Sequence, residues 1–223
     1  MASYKIVPMG RDHVDGAVEM HMLAFRGFFL AFLGRKFLRQ LYLGATESDQ
    51  TVGYVAVDEH GSVVGACFGV IDSRKFFKWL LKRRWWGFML ASMGVVLRRP
   101  SLIPRLLRGV RHEGHPPPCD IEPLGALQST AVEPGTQGMG VAIALMRSVC
   151  DEYVRRGVHA VHLTTDADNN DRVRQFYEVM GWKFLDTFVT PEGRRMCWYL
   201  WKDPAHDWSA SASGAKESTF DEV

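Results

Sequence analysis

The sequence has few cysteines, and none of them lies near another along the chain. No two have the Cys-x-x-Cys spacing of a zinc site or a redox motif: Cys67, Cys119, Cys150 and Cys197. We therefore expect buried free thiols and no metal. Residues 1–5 also lack the apolar region of a secretory signal. This favours a reducing, cytoplasmic location over a disulfide-linked, secreted one.

Long hydrophobic runs are also missing. The longest nearly unbroken apolar run, Trp85–Leu97, has thirteen residues, whereas a membrane-spanning helix needs about 20. Apolar residues make up 47% and charged residues 23% of the 223 positions, a balance typical of a chain that buries its own core. We predict one domain over residues 1–204 and a flexible polar tail over residues 205–223.

Acidic residues are absent from one long stretch. Between Ser73 and His112 there are eleven lysines and arginines and no aspartate or glutamate. Because the whole chain has a net charge of +2, these eleven cations leave −9 for the remainder. The stretch contains the apolar run, a helix stop at Arg98–Pro100 and a second basic helix predicted over Ser101–Val110. We interpret residues 73–112 as a basic helical insertion.

Around this insertion, hydrophobic periodicity predicts alternating strands and helices. Strands are predicted at Tyr4–Val7, Val52–Val57, Ser62–Ile71, Gly125–Val132, Ala160–Thr164, Trp182–Val189 and Met196–Trp201. Helices are predicted at His13–Phe25, Phe32–Leu43, Gly138–Arg156 and Asn169–Met180. Asp12 is a candidate N-cap of the first helix.

A glycine-containing turn between a strand and a helix is the first feature with chemical content. Gly138 and Gly140 have no side chains to block a phosphate, and the first turn of a helix has unpaired N–H groups and a positive dipole end. A diphosphate therefore fits against Gly138–Ala142; the alternative is an ordinary turn. Val141 excludes a P-loop, which needs lysine there, and Ile143 excludes a dinucleotide fingerprint, which needs a small residue.

Two motifs at a fixed separation resemble those of the GCN5-related N-acetyltransferase (GNAT) superfamily. The segment Gln137–Ala142 matches its Gln/Arg-x-x-Gly-x-Gly/Ala signature. About thirty residues later, Asn170–Trp182 resembles its second signature, Asn-x-x-Ala-x-x-Phe/Leu-Tyr-x-x-x-Gly-Phe. The second match departs from the signature at Val173 and Trp182, which are both apolar replacements.

The resemblance covers roughly residues 4–72 and 120–202 and implies both a fold and an activity. The implied fold is α/β (α+β), with a mixed, mostly antiparallel central sheet flanked by helices and a helical insertion between strands 3 and 4. The implied activity is transfer of an acetyl group from acetyl-CoA to a primary amine by direct attack in a ternary complex. A non-catalytic acyl-CoA sensor is the alternative.

The resemblance also implies residues that bind acetyl-CoA. The pantetheine arm would lie against the strand Leu127–Val132, and the diphosphate would lie against the glycine turn. Asn170 would hydrogen-bond the arm, and Arg172 would reach the 3′-phosphate. The complete implied set is Thr130, Ala131, Val132, Gln137, Gly138, Met139, Gly140, Val141, Ala142, Asn170, Arg172 and Tyr177.

Tyr177 is the catalytic residue that the second motif implies. The leaving thiolate needs a proton, which a phenol beside the sulfur supplies as general acid; the alternative is that the ring only packs beside Phe176. The amine must also lose a proton. Three residues that precede the central strand are candidates for the general base, and we select Glu122 over Asp120 and His115.

The acceptor is less well defined. The resemblance favours a small-molecule amine, such as an amino sugar or a nucleotide-linked amino sugar; a peptide, protein or membrane-associated amine is the alternative. The basic insertion could bind an anionic acceptor, lie on an anionic membrane, form a homodimer contact or simply pack on the core. No helix-turn-helix or RNA-binding signature is present, so we do not expect nucleic acid as a partner.

Overall fold

A single seven-stranded sheet organises the protein, for which a computed structural model describes residues 4–25, 29–98, 116–136 and 138–208. The strands lie in the order β1-β2-β3-β4-β5-β7-β6. All neighbouring strands are antiparallel except β4 and β5, which are parallel. Their bounds are β1 Tyr4–Pro8, β2 Thr51–Asp58, β3 Val63–Val70, β4 Leu124–Val132, β5 Ala160–Asp166, β6 Lys183–Val189 and β7 Arg195–Lys202.

Helices cover both faces of this sheet. Their bounds are α1 Val14–Ala24, α2 Phe29–Phe32, α3 Arg35–Glu47, α4 Ser73–Arg98, α5 Val141–Arg155 and α6 Asp171–Val179. One buried cluster joins α1, α3 and α4 to the first face, with Phe68 and Ala126 among its sheet residues. A second cluster joins α5 to the opposite face, where Leu127 and Tyr199 lie. The alternation of Ala126 and Leu127 between the clusters follows from the two-residue period of a strand.

The first two long helices begin differently from the predicted pattern. α1 begins at Val14 after a 3-10 turn at Arg11–His13, so Asp12 lies inside this turn and does not cap the helix. α3 begins after Gly34, whose φ of +83° interrupts the apolar periodicity. The helical insertion between β3 and β4 is present as α4. The second basic helix predicted at Ser101–Val110, and the part of the predicted tail after residue 208, lie outside the described residues.

α4 packs on α3 along one of its faces. Phe76, Leu80 and Phe88 of α4 are buried in the first cluster. The two helices approach closely at Gly44 of α3, where a Cβ atom would lie only 2.1 Å from a methyl carbon of Leu80. No helix in the described part of the chain is long and apolar enough to cross a membrane.

The sheet opens between its two parallel strands. β4 and β5 pair only from Leu124, opposite Ala160, to Ala126, opposite His162. Beyond that point β4 continues beside β3 and β5 continues beside β7, with no further ladder between them in the described residues. A bulge lies where the strands separate, because Gln128 has no partner in β3. The opening leaves the facing backbone groups of both strands accessible to a ligand.

Candidate active site

The glycine turn lies at the end of β4 and leads into α5. Gly138 and Gly140 have φ of +85° and +77°, in the left-handed region that favours glycine, and Gly140 is the residue before the helix. The helix begins at Val141, three residues later than the predicted start at Gly138. The unpaired N–H groups of its first turn therefore belong to Val141 and the residues after it.

The turn is held by hydrogen bonds that face away from the open side. The N–H of Met139 donates to the carbonyl of Thr136 at 3.2 Å. The Tyr4 hydroxyl of β1 donates to the Met139 carbonyl, also at 3.2 Å. Met139 is partly buried against the second cluster. The Met139 N–H is therefore already hydrogen-bonded, whereas a phosphate would accept hydrogen bonds from the N–H groups of the residues on either side of Met139.

A cleft of about 450 Å³ opens from this turn along β4 and α6. Its lining contains one cation, Arg172, which is exposed, and no anion. A single guanidinium and a helix N-terminus give the cleft a positive potential suited to phosphate groups. The lining residues are Thr130, Val132, Thr136, Gly138, Gly140, Val141, Ala142, Ile143, Arg172, Val173, Phe176 and Tyr177.

A second cleft, of about 270 Å³, lies between the separated strands. Its lining comes from the end of α1, from both strands at the opening, from α6 and from β7. The residues are Ala24, Phe25, Leu127, Gln128, Ser129, Thr130, Leu163, Thr164, Thr165, Asp166, Asn170, Val173, Tyr177 and Met196. Thr130, Val173 and Tyr177 line both clefts. The two clefts therefore meet at these three side chains, in the opening of the sheet.

Tyr177 is held at this junction by aromatic packing. Its ring lies 5.5 Å from Phe176 and 5.9 Å from both Trp182 and Tyr199. Burial raises the pKa of the Tyr177 phenol well above its ordinary value, and the nearby Cys67 adds to the rise. No residue in the described ranges is hydrogen-bonded to its hydroxyl. The phenol therefore stays protonated at neutral pH, and its O–H can be donated to a ligand.

Asn170 and the Asp166–Arg194 ion pair fasten the end of β5. The Asn170 amide donates to the Thr165 hydroxyl at 2.8 Å and to the Asp166 carbonyl at 3.2 Å. Both carboxylate oxygens of Asp166 accept from Nη2 of Arg194 at 2.6 Å. The Asn170 bonds connect β5 to the start of α6, which carries Arg172 and Tyr177, and the ion pair connects β5 to the residue before β7. The side-chain N–H groups of Asn170 are thus used within the protein, and the predicted hydrogen bond of Asn170 to the pantetheine arm stays a prediction.

A chain of three buried side chains runs from α1 to the second cleft. His21 Nδ1 lies 3.1 Å from the Tyr42 hydroxyl, which lies 3.0 Å from the Ser129 hydroxyl. His21 also packs against Phe25, with ring centroids 4.6 Å apart. Burial lowers the pKa of His21 to about 4, so the ring is neutral at pH 7 and orients its neighbours rather than carrying charge.

Most of the predicted cofactor residues line the first cleft, but four do not: Ala131, Gln137, Met139 and Asn170, the last of which lines the second cleft. Glu122, the predicted general base, is exposed just before β4 and lines neither cleft. Ala131 is buried beside β3 and lines neither cleft. Met139 holds the turn as described above, and Gln137 lies outside the described residues.

Apart from Thr130, Asn170 and Tyr177, the residues that line the second cleft were not identified from sequence. Phe25, Gln128 and Met196 belong to three distant parts of the chain and share no motif. The bulge at Gln128 depends on the register with β3, which local patterns do not show. In the described residues, no group of three or more histidine, cysteine, aspartate or glutamate side chains is placed to hold a metal ion.

The open pair of parallel strands, with a glycine turn at its mouth, forms a site that is accessible from two clefts. The profile of the acetyltransferase (GNAT) family matches residues 18–182, most of the chain. The chain belongs to the acetyltransferase (GNAT) family and is an acyltransferase. This confirms the resemblance found in the two sequence motifs.

Solved structures with this fold are similar over nearly their whole length at low sequence identity. The ribosomal-protein-S18-alanine N-acetyltransferase from Escherichia coli is 13% identical, with a TM-score of 0.55, over 98% of this chain and 99% of that one. The aminoglycoside N-acetyltransferase AAC(6')-Iy in complex with CoA is 13% identical, with a TM-score of 0.58, over 85% and 94%. A GCN5-related N-acetyltransferase from Kribbella flavida is 13% identical, with a TM-score of 0.54, over 89% and 97%.

These neighbours confirm the predicted fold class, with its mostly antiparallel sheet and flanking helices. No curated protein matches the chain.

Proposed function

We propose that this enzyme transfers an acetyl group from acetyl-CoA to the primary amine of a small-molecule acceptor, in a ternary complex of enzyme and both substrates. The observation that carries the proposal is the meeting of two clefts at Thr130, Val173 and Tyr177. The first cleft suits an anionic, elongated donor, and the second is the place for an acceptor. A thioester at the junction would be open to attack from the acceptor side.

The donor would enter along β4. Its diphosphate would accept hydrogen bonds from the start of α5, and Arg172 would approach the 3′-phosphate. The pantetheine amides would pair with the backbone at Thr130 and Val132, because β4 has lost its neighbour β5 at that height. Each of these contacts uses a group that the free protein leaves accessible.

The chemical step is nucleophilic attack by a neutral amine. The nitrogen lone pair adds to the thioester carbonyl carbon, and a tetrahedral intermediate forms. The C–S bond then breaks, and the departing sulfur takes the proton of the Tyr177 hydroxyl. The proton lost by the amine passes to water in the acceptor cleft, and water restores the phenol. This mechanism gives Glu122 no role, because Glu122 lines neither cleft.

The acceptor class is inferred from the second cleft. Its polar lining is mostly uncharged, with hydroxyl groups on Thr164 and Thr165 and an amide on Gln128, and it contains the Phe25 ring. Hydroxyls and amides match the many hydroxyl groups of a sugar, and an aromatic ring packs against its C–H face. We therefore favour an amino sugar or nucleotide-linked amino sugar. Among the similar structures, an aminoglycoside acetyltransferase was solved with a bisubstrate analogue.

The proposed compartment is the cytoplasm. All four cysteines are free thiols, and three of them are buried. Burial raises the pKa of Cys67 to about 12, so this thiol stays protonated beside the Thr130 hydroxyl, 3.2 Å away. Unpaired thiols are typical of a reducing environment.

An acceptor screen tests the proposal. The protein is incubated with acetyl-CoA and with amino sugars, nucleotide-linked amino sugars, amino acids, polyamines or peptide amines, and thiol release is measured. We expect turnover with at least one amino sugar, and none when the acceptor amine is already acetylated. Turnover with peptide amines alone would overturn the acceptor class. Acetyl-CoA binding without thiol release for any amine would favour the sensor.

A further inference from the structure

The exposed side of α4 carries five large apolar side chains that the rest of the described residues leaves largely uncovered. Trp85, Trp86, Met89, Leu90 and Met93 are 47%, 58%, 44%, 61% and 52% exposed. On a helix, residues three and four apart lie on the same side, so the five form one continuous surface. The rings of Trp85 and Trp86 stack at 3.8 Å and enlarge it. We call this surface the α4 patch.

The α4 patch is not needed for packing the core. The opposite side of the same helix supplies the buried residues Phe76, Leu80 and Phe88. Arg84, on that side too, forms an ion pair with Glu47 and donates to Gln40 of α3 at 2.9 Å. The helix is thus anchored by one face, while contiguous apolar groups remain in water on the other. Such a surface marks a binding site for a protein or a membrane.

Cations adjoin the α4 patch toward the start of the helix. Lys78, Lys82 and Arg83 are exposed, and they have no ion-pair partner within the described residues. Residues 73–98 contain no aspartate or glutamate. By helical geometry, Lys78 and Lys82 lie on the same side as Trp85, Met89 and Met93. The exposed side therefore has a basic half followed by an apolar half.

This arrangement is complementary to an anionic bilayer surface. Lysine and arginine are attracted to acidic headgroups, at about 1 kcal/mol per residue. Tryptophan favours the boundary between headgroups and acyl chains, and leucine and methionine gain from burial there. Attachment through α4 requires no change in the fold, because its inner face already packs on α3.

We propose that the α4 patch and its adjoining cations dock the enzyme peripherally on membranes rich in anionic lipid. The bound α4 lies parallel to the surface, with the indoles and Leu90 at the headgroup boundary and Lys78, Lys82 and Arg83 against the phosphates. This docking does not depend on the identity of the acceptor, nor on the proposed acetyl transfer.

Vesicle flotation of the full chain tests the proposal. We compare vesicles of phosphatidylcholine alone with vesicles of equal parts phosphatidylcholine and phosphatidylglycerol. We expect binding to the anionic vesicles that weakens as salt is added. Trp86→Ser with Leu90→Ser should weaken binding more than about tenfold through lost burial. Lys78→Gln with Lys82→Gln should weaken it about thirtyfold, from about fivefold for each positive charge removed.

Val189→Ser on β6 is the matched control, because Val189 is 56% exposed but lies on another element. It should bind vesicles like the unaltered protein, and circular dichroism should show all variants folded. Absence of binding to anionic vesicles, or equal binding by the α4 variants, would overturn the proposal. If the protein instead forms dimers that Trp86→Ser with Leu90→Ser dissociates, and no vesicle binding occurs, the patch is an interface between copies.

Discussion

Tyr177 is the side chain on which the proposed chemistry most depends. It borders both clefts, its phenol is kept neutral by burial, and its hydroxyl has no hydrogen bond to another of the described residues that must break before it can act. A group in that position affects the transition state more than it affects the bound donor, since the proton is needed only as the sulfur leaves.

Tyr177→Phe should therefore lower kcat about a hundredfold or more, with little change in the affinity for acetyl-CoA. Thiol release with the best acceptor of the screen measures the rate, and calorimetry measures the affinity. Tyr199→Phe is the control, because its hydroxyl donates to Glu178 at 2.9 Å and lines neither cleft. An undiminished kcat in Tyr177→Phe would show that another group protonates the sulfur.

A buried histidine, His21, and a half-buried one, His162, make the stability of the fold depend on pH. Burial lowers the pKa of both His21 and His162 from 6.5 to about 4. Between these values the unfolded chain binds more protons than the folded chain. Stability is therefore complete above about pH 6.5 and is lost as pH falls toward 4, by about 1.4 kcal/mol per pH unit for each histidine.

His21→Gln should make this loss less steep, because it removes one of the two titrating groups. The free energy of unfolding in urea, measured between about pH 7.5 and pH 5, gives the slope. His162→Gln should flatten it similarly, whereas the exposed His60→Gln should not. Equal slopes in all four proteins would show that the two rings do not titrate as proposed.

At the scale of elements, the turn before α5 combines a backbone requirement with the proposed binding of the diphosphate. Gly140 has a φ of +77°, which a residue with a Cβ atom adopts at a cost of about 1 kcal/mol. Gly193, in the turn between β6 and β7, has a φ of +81° and lines neither cleft. Comparing the same substitution at the two positions therefore distinguishes the effect of backbone strain from the effect on ligand binding.

Gly140→Asp should weaken acetyl-CoA binding by more than about tenfold, through bulk and like charge at the diphosphate. Gly193→Asp should cost similar stability while leaving the affinity unchanged. Thermal unfolding measures the stability of each variant, and calorimetry measures its affinity for acetyl-CoA. Equal affinities in the two variants would place the diphosphate away from this turn.

The elements of the chemical site differ in how well sequence predicts them. The glycine turn and the motif around Tyr177 are each contiguous in sequence, so their resemblance to the two motifs of the family could be recognised without a structure. The acceptor cleft is not local: Phe25 and Met196 meet only because β7 pairs beside β5 and α1 crosses β4. Glu122 was selected because it is close to the central strand along the chain. It precedes the first residue of β4, whereas the residues of this strand that line the clefts begin at Leu127.

The insertion shows a related limit. Composition identified the helix of α4 and its missing acids, but it could not show which apolar residues are buried. Phe88 packs on the core, whereas Leu90, two residues later, is 61% exposed. Phe88 is buried and Leu90 is exposed only because of where α3 packs. The α4 patch could therefore not be predicted from the apolar run in the sequence.

At the scale of the whole molecule, one sheet positions both clefts. β3 and β4 carry the bulge, β5 turns away with β7, and helices on opposite faces bring Phe25 and Tyr177 to one opening. A donor bound there would contact β4, α5 and α6 together and would stabilise the folded state by mass action.

Thermal unfolding with and without acetyl-CoA tests this central claim most directly. At about a hundredfold excess over Kd, a ligand of the folded state adds about 2.7 kcal/mol, and for a chain of this size each kcal/mol raises Tm by about 2–4 °C. We predict a rise of about 5–10 °C that Gly140→Asp reduces and Gly193→Asp retains. An unchanged Tm at saturating acetyl-CoA and CoA would contradict the account.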